Sequence, residues 1–321
     1  MMNQRKLVIT QNLESPFKER LHSILPDWEI VFGRDRSIWN DHISDAEVIA
    51  GWKKEMTDLL LQNKGALKWI QTWTAGVNQL PLHTLQEKGV HVTSANGVHT
   101  YPISETIFAL MLGLTRKIHA YVRNQQTKMW NHENMKLEIH EKTIGIIGVG
   151  SIGQETAKIA KAFGMKVLGT RHSGKPDPFV DEMYLPNQLD DILPKCDYVV
   201  ITLPLTSETK QMFGEKQFQL MKRSAILINI GRGEIVVESD LISALQKQEI
   251  AGAGLDVFEK EPLSEESPLW NFDNVIITPH TAGSTEHYDK RVIEDIFIPN
   301  LKSYLTNSPL PLNVVDFKKG Y

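Results

Sequence analysis

The sequence predicts an α/β architecture built on parallel sheets, and three observations point to it. Short apolar runs alternate with longer amphipathic ones along the whole chain. In the second half those runs are almost continuously apolar, as parallel strands covered on both faces are. A length of 321 residues exceeds the size at which one hydrophobic core stops growing, so two domains are expected.

Taken in order, KLVIT, WEIVF, AEVIAGW, LKWIQTW and VHVTSA read as strands, separated by helix-length stretches such as SPFKERLHSIL. Residues 103 to 123, ISETIFALMLGLTRKIHAYVR, keep helical spacing over several turns. Pro102 and Ser104 stand where a helix begins, so one long helix is expected to leave the first half. A second series of strands follows in TIGIIGVG, MKVLGT, YVVITL, AILINI, AGAGLDVF and NVIITPH. The last amphipathic stretch, YDKRVIEDIFIPNLKSYLTNS, is helical again and is expected to return to the first half. Residues 1–100 with 286–321 would then form one discontinuous domain, and residues 101–285 a doubly wound one.

Composition narrows the function classes. Hydrophobic residues make up 41% and charged ones 23%, an ordinary globular balance. The formal net charge of -4 and the lack of a long basic run argue against nucleic acid or an anionic membrane as partner. No apolar stretch reaches the roughly 18 residues of a membrane helix, and the N-terminus lacks a signal-peptide core, so a cytoplasmic protein is expected. Cys196 is the only cysteine, which excludes an intramolecular disulfide and suits a reducing compartment. Its apolar neighbours make it a small buried hydrophobe rather than a nucleophile. No metal is expected.

GIIGVGSIGQETAKIAKAF places Gly148, Gly150 and Gly153 between an apolar strand and an amphipathic helix, with the strand MKVLGT following on schedule. Gly148 permits the tight turn, Gly150 lets the backbone approach a pyrophosphate, and Gly153 allows close helix–strand packing. Phosphate then sits at the positive helix N-terminus, beside Ser151 and Ile152. The expectation is a Rossmann doubly wound parallel sheet binding a dinucleotide. Roughly 20 residues beyond the glycines, where an NAD site has an acid for the ribose 2′-hydroxyl, this chain has Arg171, His172 and Ser173, with Lys175 close behind. An arginine there accommodates the 2′-phosphate, so NADP is the expected cofactor, with NAD possible.

Three later stretches, INIGRGEIV, GLDVFEKEP and NVIITPHTAGST, are distinctive in order and spacing. Together with the glycine turn they resemble the D-isomer-specific 2-hydroxyacid dehydrogenases over nearly the whole chain. That family includes D-lactate dehydrogenase, phosphoglycerate dehydrogenase and glyoxylate/hydroxypyruvate reductase. The resemblance implies a catalytic set of Arg232, Glu261 and His280, each just beyond an apolar strand. It also implies a discontinuous flavodoxin-like α/β substrate domain and a homodimer to which the helix of residues 103 to 123 contributes.

The chemistry suits these residue types. Reducing a 2-keto acid delivers a hydride to the carbonyl carbon while the oxygen takes a proton, and histidine titrates in the range that this needs. The resemblance makes His280 the acid for reduction and the base for oxidation, with Glu261 orienting its other ring nitrogen and favouring the imidazolium. Arg232 would bind the substrate carboxylate and polarise the carbonyl. TWTAGVNQL matches the family's substrate loop, whose backbone amides at Ala75, Gly76 and Val77 take the carboxylate, while Asn78 stands where many relatives have aspartate.

Asp256 would contact the nicotinamide carboxamide. Pro204 to Thr209 and Ile230 would line the cofactor. Trp52 and Trp73, both ending strand-like runs, are expected to be packed rather than to wall the substrate. Cleft closure over the substrate is part of the same expectation. The expected reaction is the NAD(P)-dependent reduction of a small 2-keto acid of the glyoxylate or hydroxypyruvate type. Phosphoglycerate dehydrogenase and a dinucleotide-sensing corepressor are the alternatives. Formate dehydrogenase, which replaces the catalytic glutamate, is disfavoured by Glu261.

Overall fold

A computed structural model describes residues 4–62, 65–77, 79–131 and 137–317. Asn78 lies outside the described residues. The chain divides into two compact units, Met1–Val98 with Thr285–Tyr321, and His99–Ser284.

The first unit carries β1 (Lys6–Ile9), β2 (Glu29–Phe32), β3 (Val48–Ala50), β4 (Trp69–Gln71) and β5 (His91–Thr93). They form one parallel five-stranded sheet in the order β2-β1-β3-β4-β5, the flavodoxin-like arrangement. Alternation along each strand feeds two cores. Leu7 and Ile9 face Trp69, Val48, Val292, Phe297 and Leu301, whereas Val8, Ile49 and Ile70 face Trp39, Ile43 and Met56. The returning stretch from Tyr288 to Leu305 is helical, with a π-helical middle at Arg291–Phe297, and its apolar side belongs to the first of these cores.

The second unit carries β6 (Thr143–Ile147), β7 (Lys166–Thr170), β8 (Glu182–Tyr184), β9 (Tyr198–Ile201), β10 (Ile226–Asn229), β11 (Gly252–Leu255) and β12 (Val275–Ile277). The parallel seven-stranded sheet runs β12-β11-β10-β9-β6-β7-β8, a Rossmann sheet extended by one strand. All the strands read from the sequence are present, and β8 is an addition. Its residues are only partly buried, so this edge strand lacks the apolar run that announces the others.

The expected single helix over 103–123 is two. Thr100–Thr115 is followed by Ile118–Gln126, with Lys117 between them at φ 56° in the left-handed conformation that ends helices. Ile107, Phe108, Met111 and Leu114 of the first helix are buried in this unit's own core. Ile118 and Val122 of the second are about half exposed, at 53% and 50%. The apolar spacing runs across the break, which is why the sequence alone does not reveal it.

Candidate active site

Parallel strands deliver all their carboxyl ends to one edge, and the candidate residues of the second unit follow from that geometry. Gly148 comes after β6, Arg171 after β7, Pro204 after β9, Ile230 and Arg232 after β10, Asp256 after β11 and His280 after β12. Strand order reverses at β6, where an open α/β sheet leaves a crevice for its ligand.

The glycine turn is built as its residue types require. Gly148 has φ +110°, and a Cβ there would also press on the Leu203 side chain at 2.9 Å. A Cβ on Gly153 would stand 2.5 Å from the carbonyl oxygen of Gly148, so the helix Ser151–Ala162 can lie this close to the strand only with glycine. Nothing lies within 4 Å of a Cβ on Gly150, whose backbone opens the helix. The first amides of that helix, Ser151, Ile152 and Gly153, have no intrahelical acceptor and are available to an anion. This cradle fits the pyrophosphate of a dinucleotide.

Arg171 directs its guanidinium onto the same turn. Nε donates to the Val149 carbonyl at 2.7 Å and Nη1 to the Lys175 carbonyl at 3.3 Å, while Nη2 has no hydrogen bond among the described residues. His172 and Ser173 are exposed in the tight turn that Gly174 closes, with its amide on the Arg171 carbonyl. The nearest acid in sequence, Asp177, is buried and committed to Gln154 Nε2 at 2.7 Å and the Phe179 amide at 3.1 Å. Thr209 is likewise occupied: its hydroxyl donates to the Pro204 carbonyl at 2.7 Å and accepts from the Thr206 amide, closing the loop on itself. Ile230 is a buried wall residue.

His280 Nδ1 and Glu261 Oε2 are 2.7 Å apart, and both side chains remain partly exposed. Glu261 Oε1 accepts from the Phe258 amide at 3.1 Å. Burial pushes the Glu261 carboxyl up, but the hydrogen bonds from His280 and the Phe258 amide, with the charges of His280 and Arg232, leave it below the ordinary carboxylate range. Arg232 is exposed and donates from Nη1 to the Gly231 carbonyl at 2.7 Å. The structure therefore brings Glu261 and His280 together, with Arg232 close enough for its charge to act on the glutamate.

Asn229 and Gly233, which the sequence reading did not single out, and Asp256, which it placed against the nicotinamide, support this set from within the protein. The buried Asn229 accepts from the Gly231 amide at 3.1 Å and donates to the Arg232 carbonyl at 3.1 Å, clamping the segment that carries the arginine. Gly233 is seated directly on the next loop, for a Cβ there would fall 1.9 Å from the Phe258 carbonyl carbon. Asp256, 2% exposed, accepts from Thr278 Oγ1 at 2.6 Å and from the amides of Thr281 and Ala282 at 3.0 Å each. Its own carbonyl accepts the His280 amide at 2.8 Å, in a turn where His280 has φ 53°. Asp256 thus shapes the loop that presents the histidine. The only earlier signal was NxxRG itself, whose asparagine is a residue type that closes turns with its side chain.

In the first unit, Thr74, Ala75 and Gly76 are exposed and Val77 is buried. Trp73, at 8% exposure, is packed and donates from Nε1 to Asp289 Oδ1 at 2.9 Å, while Trp52 donates to the Gln79 carbonyl at 3.2 Å. Both indoles are framework for this loop. Cys196 is fully buried against the Ile192 carbonyl, and burial pushes its thiol up to about 12, which fits a packing role. Among the described residues no cluster of histidine, cysteine and carboxylate side chains could hold a metal, and no helix is long and apolar enough to cross a membrane.

Comparison with known proteins identifies the relatives of this chain. Residues 108–282 match the model of the D-isomer specific 2-hydroxyacid dehydrogenase NAD binding domain. A glyoxylate reductase of Korarchaeum cryptofilum is 31% identical over 304 residues, covering 92% of this chain and 90% of that one. The crystal structure of a D-isomer specific 2-hydroxyacid dehydrogenase family protein from Aeromonas salmonicida superposes with a TM-score of 0.81 at 33% identity, over 98% of this chain and all (100%) of the other. An NADPH-dependent glyoxylate/hydroxypyruvate reductase of Sinorhizobium meliloti, solved with NADP and sulfate, gives a TM-score of 0.76 at 29% identity, over 99% and 100%. With two parallel α/β sheets, a dinucleotide turn and a histidine–glutamate pair at one sheet edge, the chain belongs to the D-isomer-specific 2-hydroxyacid dehydrogenases, oxidoreductases of 2-hydroxy acids.

Proposed function

We propose that this enzyme is an NADPH-preferring reductase of small 2-keto acids of the glyoxylate and hydroxypyruvate type. The observation that carries the reading is the His280–Glu261 pair beside Arg232. His280 donates Nδ1–H to Glu261 and presents Nε2–H to the carbonyl oxygen, which gains the proton as the carbonyl carbon is reduced. Arg232 holds the negative charge of the substrate and polarises its carbonyl, and the amides of Ala75, Gly76 and Val77 bind the carboxylate. Bound nicotinamide supplies the hydride.

Gly148, Gly150, Ser151, Ile152 and Gly153 cradle the pyrophosphate; Pro204, Thr209, Ile230 and Asp256 line the remainder of the cofactor. Arg171, with His172 and Ser173, reads the 2′-phosphate. Two observations favour NADPH: Nη2 of Arg171 is uncommitted among the described residues, and the S. meliloti relative is NADPH-dependent. The test is turnover of purified protein on a panel of 2-keto acids with each cofactor. Cofactor binding without turnover of any keto acid contradicts the reading and favours a cofactor-sensing role.

A homodimer is part of the same proposal. Ile118, Val122, Met129, Trp130 and Leu137 are exposed apolar side chains of one stretch of chain, with Trp130 96% accessible, and a cluster of this kind marks an interaction surface. A second copy covers it. The contributing segment runs from Ile118 onward, where the apolar side chains are exposed, whereas Ile107, Phe108, Met111 and Leu114 of the helix before it pack into their own unit. A monomer by light scattering at micromolar concentration contradicts this. The single buried thiol suits a reducing compartment, and a cytoplasmic setting completes the proposal.

A further inference from the structure

The loop after β4 raises a question that the family pattern does not answer: what aims its amides outward? A trans peptide is planar, with its C=O and N–H pointing in opposite directions, so fixing a carbonyl also fixes the direction of the next residue's amide. In this loop three carbonyls are held by named donors. The Trp73 carbonyl accepts from Tyr288 OH at 2.6 Å. The Thr74 carbonyl accepts from Thr72 Oγ1 at 2.6 Å and from the Ala95 amide at 3.0 Å. The Gly76 carbonyl accepts from Thr74 Oγ1 at 2.7 Å.

The consequence falls on the amides of Thr74, Ala75 and Val77, each turned away from the donor that holds the preceding carbonyl. None of the three donates to another group among the described residues. Thr74 and Ala75 are exposed, so neighbouring protein does not hide their amides, while Val77 follows the exposed Gly76 with its own side chain buried. Successive amides facing one way form an anion-binding concavity. Flexible loops present such a row only part of the time, because each peptide plane can turn; here the turning is opposed by hydrogen bonds of 2.6–2.7 Å from three hydroxyls. The base of the loop is fixed too, through the Trp73 indole on Asp289.

We infer that the hydroxyls of Thr72, Thr74 and Tyr288 are positioning groups for substrate recognition, pre-aiming the amides that receive a carboxylate. This rests on the 2-keto-acid reading of the site. None of the three touches the reacting carbonyl; they act through the peptide planes. Thr72 and Thr74 each donate the hydroxyl to the carbonyl two positions on, so each holds the peptide plane that follows that residue. Tyr288 comes from the returning helix, so the loop's recognition surface is completed by the chain segment that closes this unit.

The experiment compares wild type with Thr74→Val, Thr74→Ser and Tyr288→Phe, using glyoxylate and its uncharged methyl ester as substrates with NADPH. Thr74→Val and Tyr288→Phe are expected to raise KM for glyoxylate by roughly 3- to 30-fold, the worth of a misaimed charge-assisted hydrogen bond, with kcat much less affected. Turnover of the ester should be unchanged, which a general loss of structure would not allow, and Thr74→Ser should restore wild-type KM. Equal loss on acid and ester, or an unchanged KM for glyoxylate in both hydroxyl deletions, overturns the inference. A wild-type enzyme that does not prefer the acid to its ester overturns the carboxylate reading itself, and the inference with it.

Discussion

Gly233 sits against the peptide of Phe258, so closely that a Cβ would come 1.9 Å from the carbonyl carbon of that residue. Arg232 is the residue before Gly233, and the Phe258 amide is bonded to Glu261. Two loops from neighbouring strands, β10 and β11, are thereby joined backbone to backbone, and the relation of the arginine to the glutamate follows from it.

The arginine's shape matters as much as its charge. Arg232→Lys keeps the cation but loses the planar fork that engages a carboxylate in two hydrogen bonds. KM for the keto acid should rise and kcat fall, with kcat/KM lower by about 10- to 100-fold, corresponding to roughly 1.5–3 kcal/mol for a charged hydrogen bond. Steady-state kinetics check this, and wild-type parameters would remove Arg232 from substrate binding.

Glu261 is held below the ordinary carboxylate range, so it is ionised throughout the neutral pH window and adds no titration of its own there. Glu261→Gln removes the anion facing the imidazole, and protonated histidine loses its partner. Activity should fall in both directions, because the imidazole loses the anionic acceptor that orients its ring and fixes which nitrogen faces the substrate. Wild-type kcat for reduction and oxidation in this variant would make Glu261 a structural residue only.

Cofactor choice is tested at Arg171, which replaces the usual acid. Arg171→Asp puts a repelling charge where an attracting one stood, so kcat/KM for NADPH should drop by roughly 10-fold or more while that for NADH changes little or improves. Equal losses with the two cofactors would show that this loop does not read the 2′-phosphate.

Stability has a separate acid-sensitive knot in the first unit. Glu47 accepts from Arg5 Nη2 at 2.6 Å, from Arg5 Nε at 2.9 Å and from Tyr304 OH at 2.6 Å. Burial raises its carboxyl, yet the bonds from Arg5 and Tyr304 leave it lowered overall. A lowered folded-state value stabilises above the unfolded value, near 4.3 on the model-peptide scale, and that stabilisation is lost as pH falls through the folded one. Glu47→Gln should cost about 1–3 kcal/mol at neutral pH, seen as a lower Tm, and the gap to wild type should close below about pH 4. A gap independent of pH would mean that the charge of Glu47 contributes nothing.

Much of this molecule is legible in the sequence, for identifiable reasons. Parallel strands buried on both faces need continuous apolar runs, and ILIN or GAGL can be little else in such a series. Gly148 and Gly153 are dictated by a positive φ and a backbone contact, so their spacing announces the turn. Other features leave no periodic trace. The break at Lys117 interrupts a helix whose apolar spacing continues across it, and β8 is an edge strand with little to bury. The hydrogen bonds of Asp256 and Tyr288 join residues whose proximity only the folded chain creates, and a hydroxyl or carboxylate in sequence does not say which backbone group it will hold.

The most direct test of the central claim is NADPH-dependent reduction of glyoxylate by His280→Ala, measured beside NADPH affinity. Loss of the proposed proton donor should lower kcat by about 100- to 10,000-fold, while NADPH should bind as in wild type, because the proposed role of the residue is toward the substrate and not the nucleotide. Near-normal kcat in this variant would contradict the assignment of His280 as the acid, and with it the catalytic role of the pair.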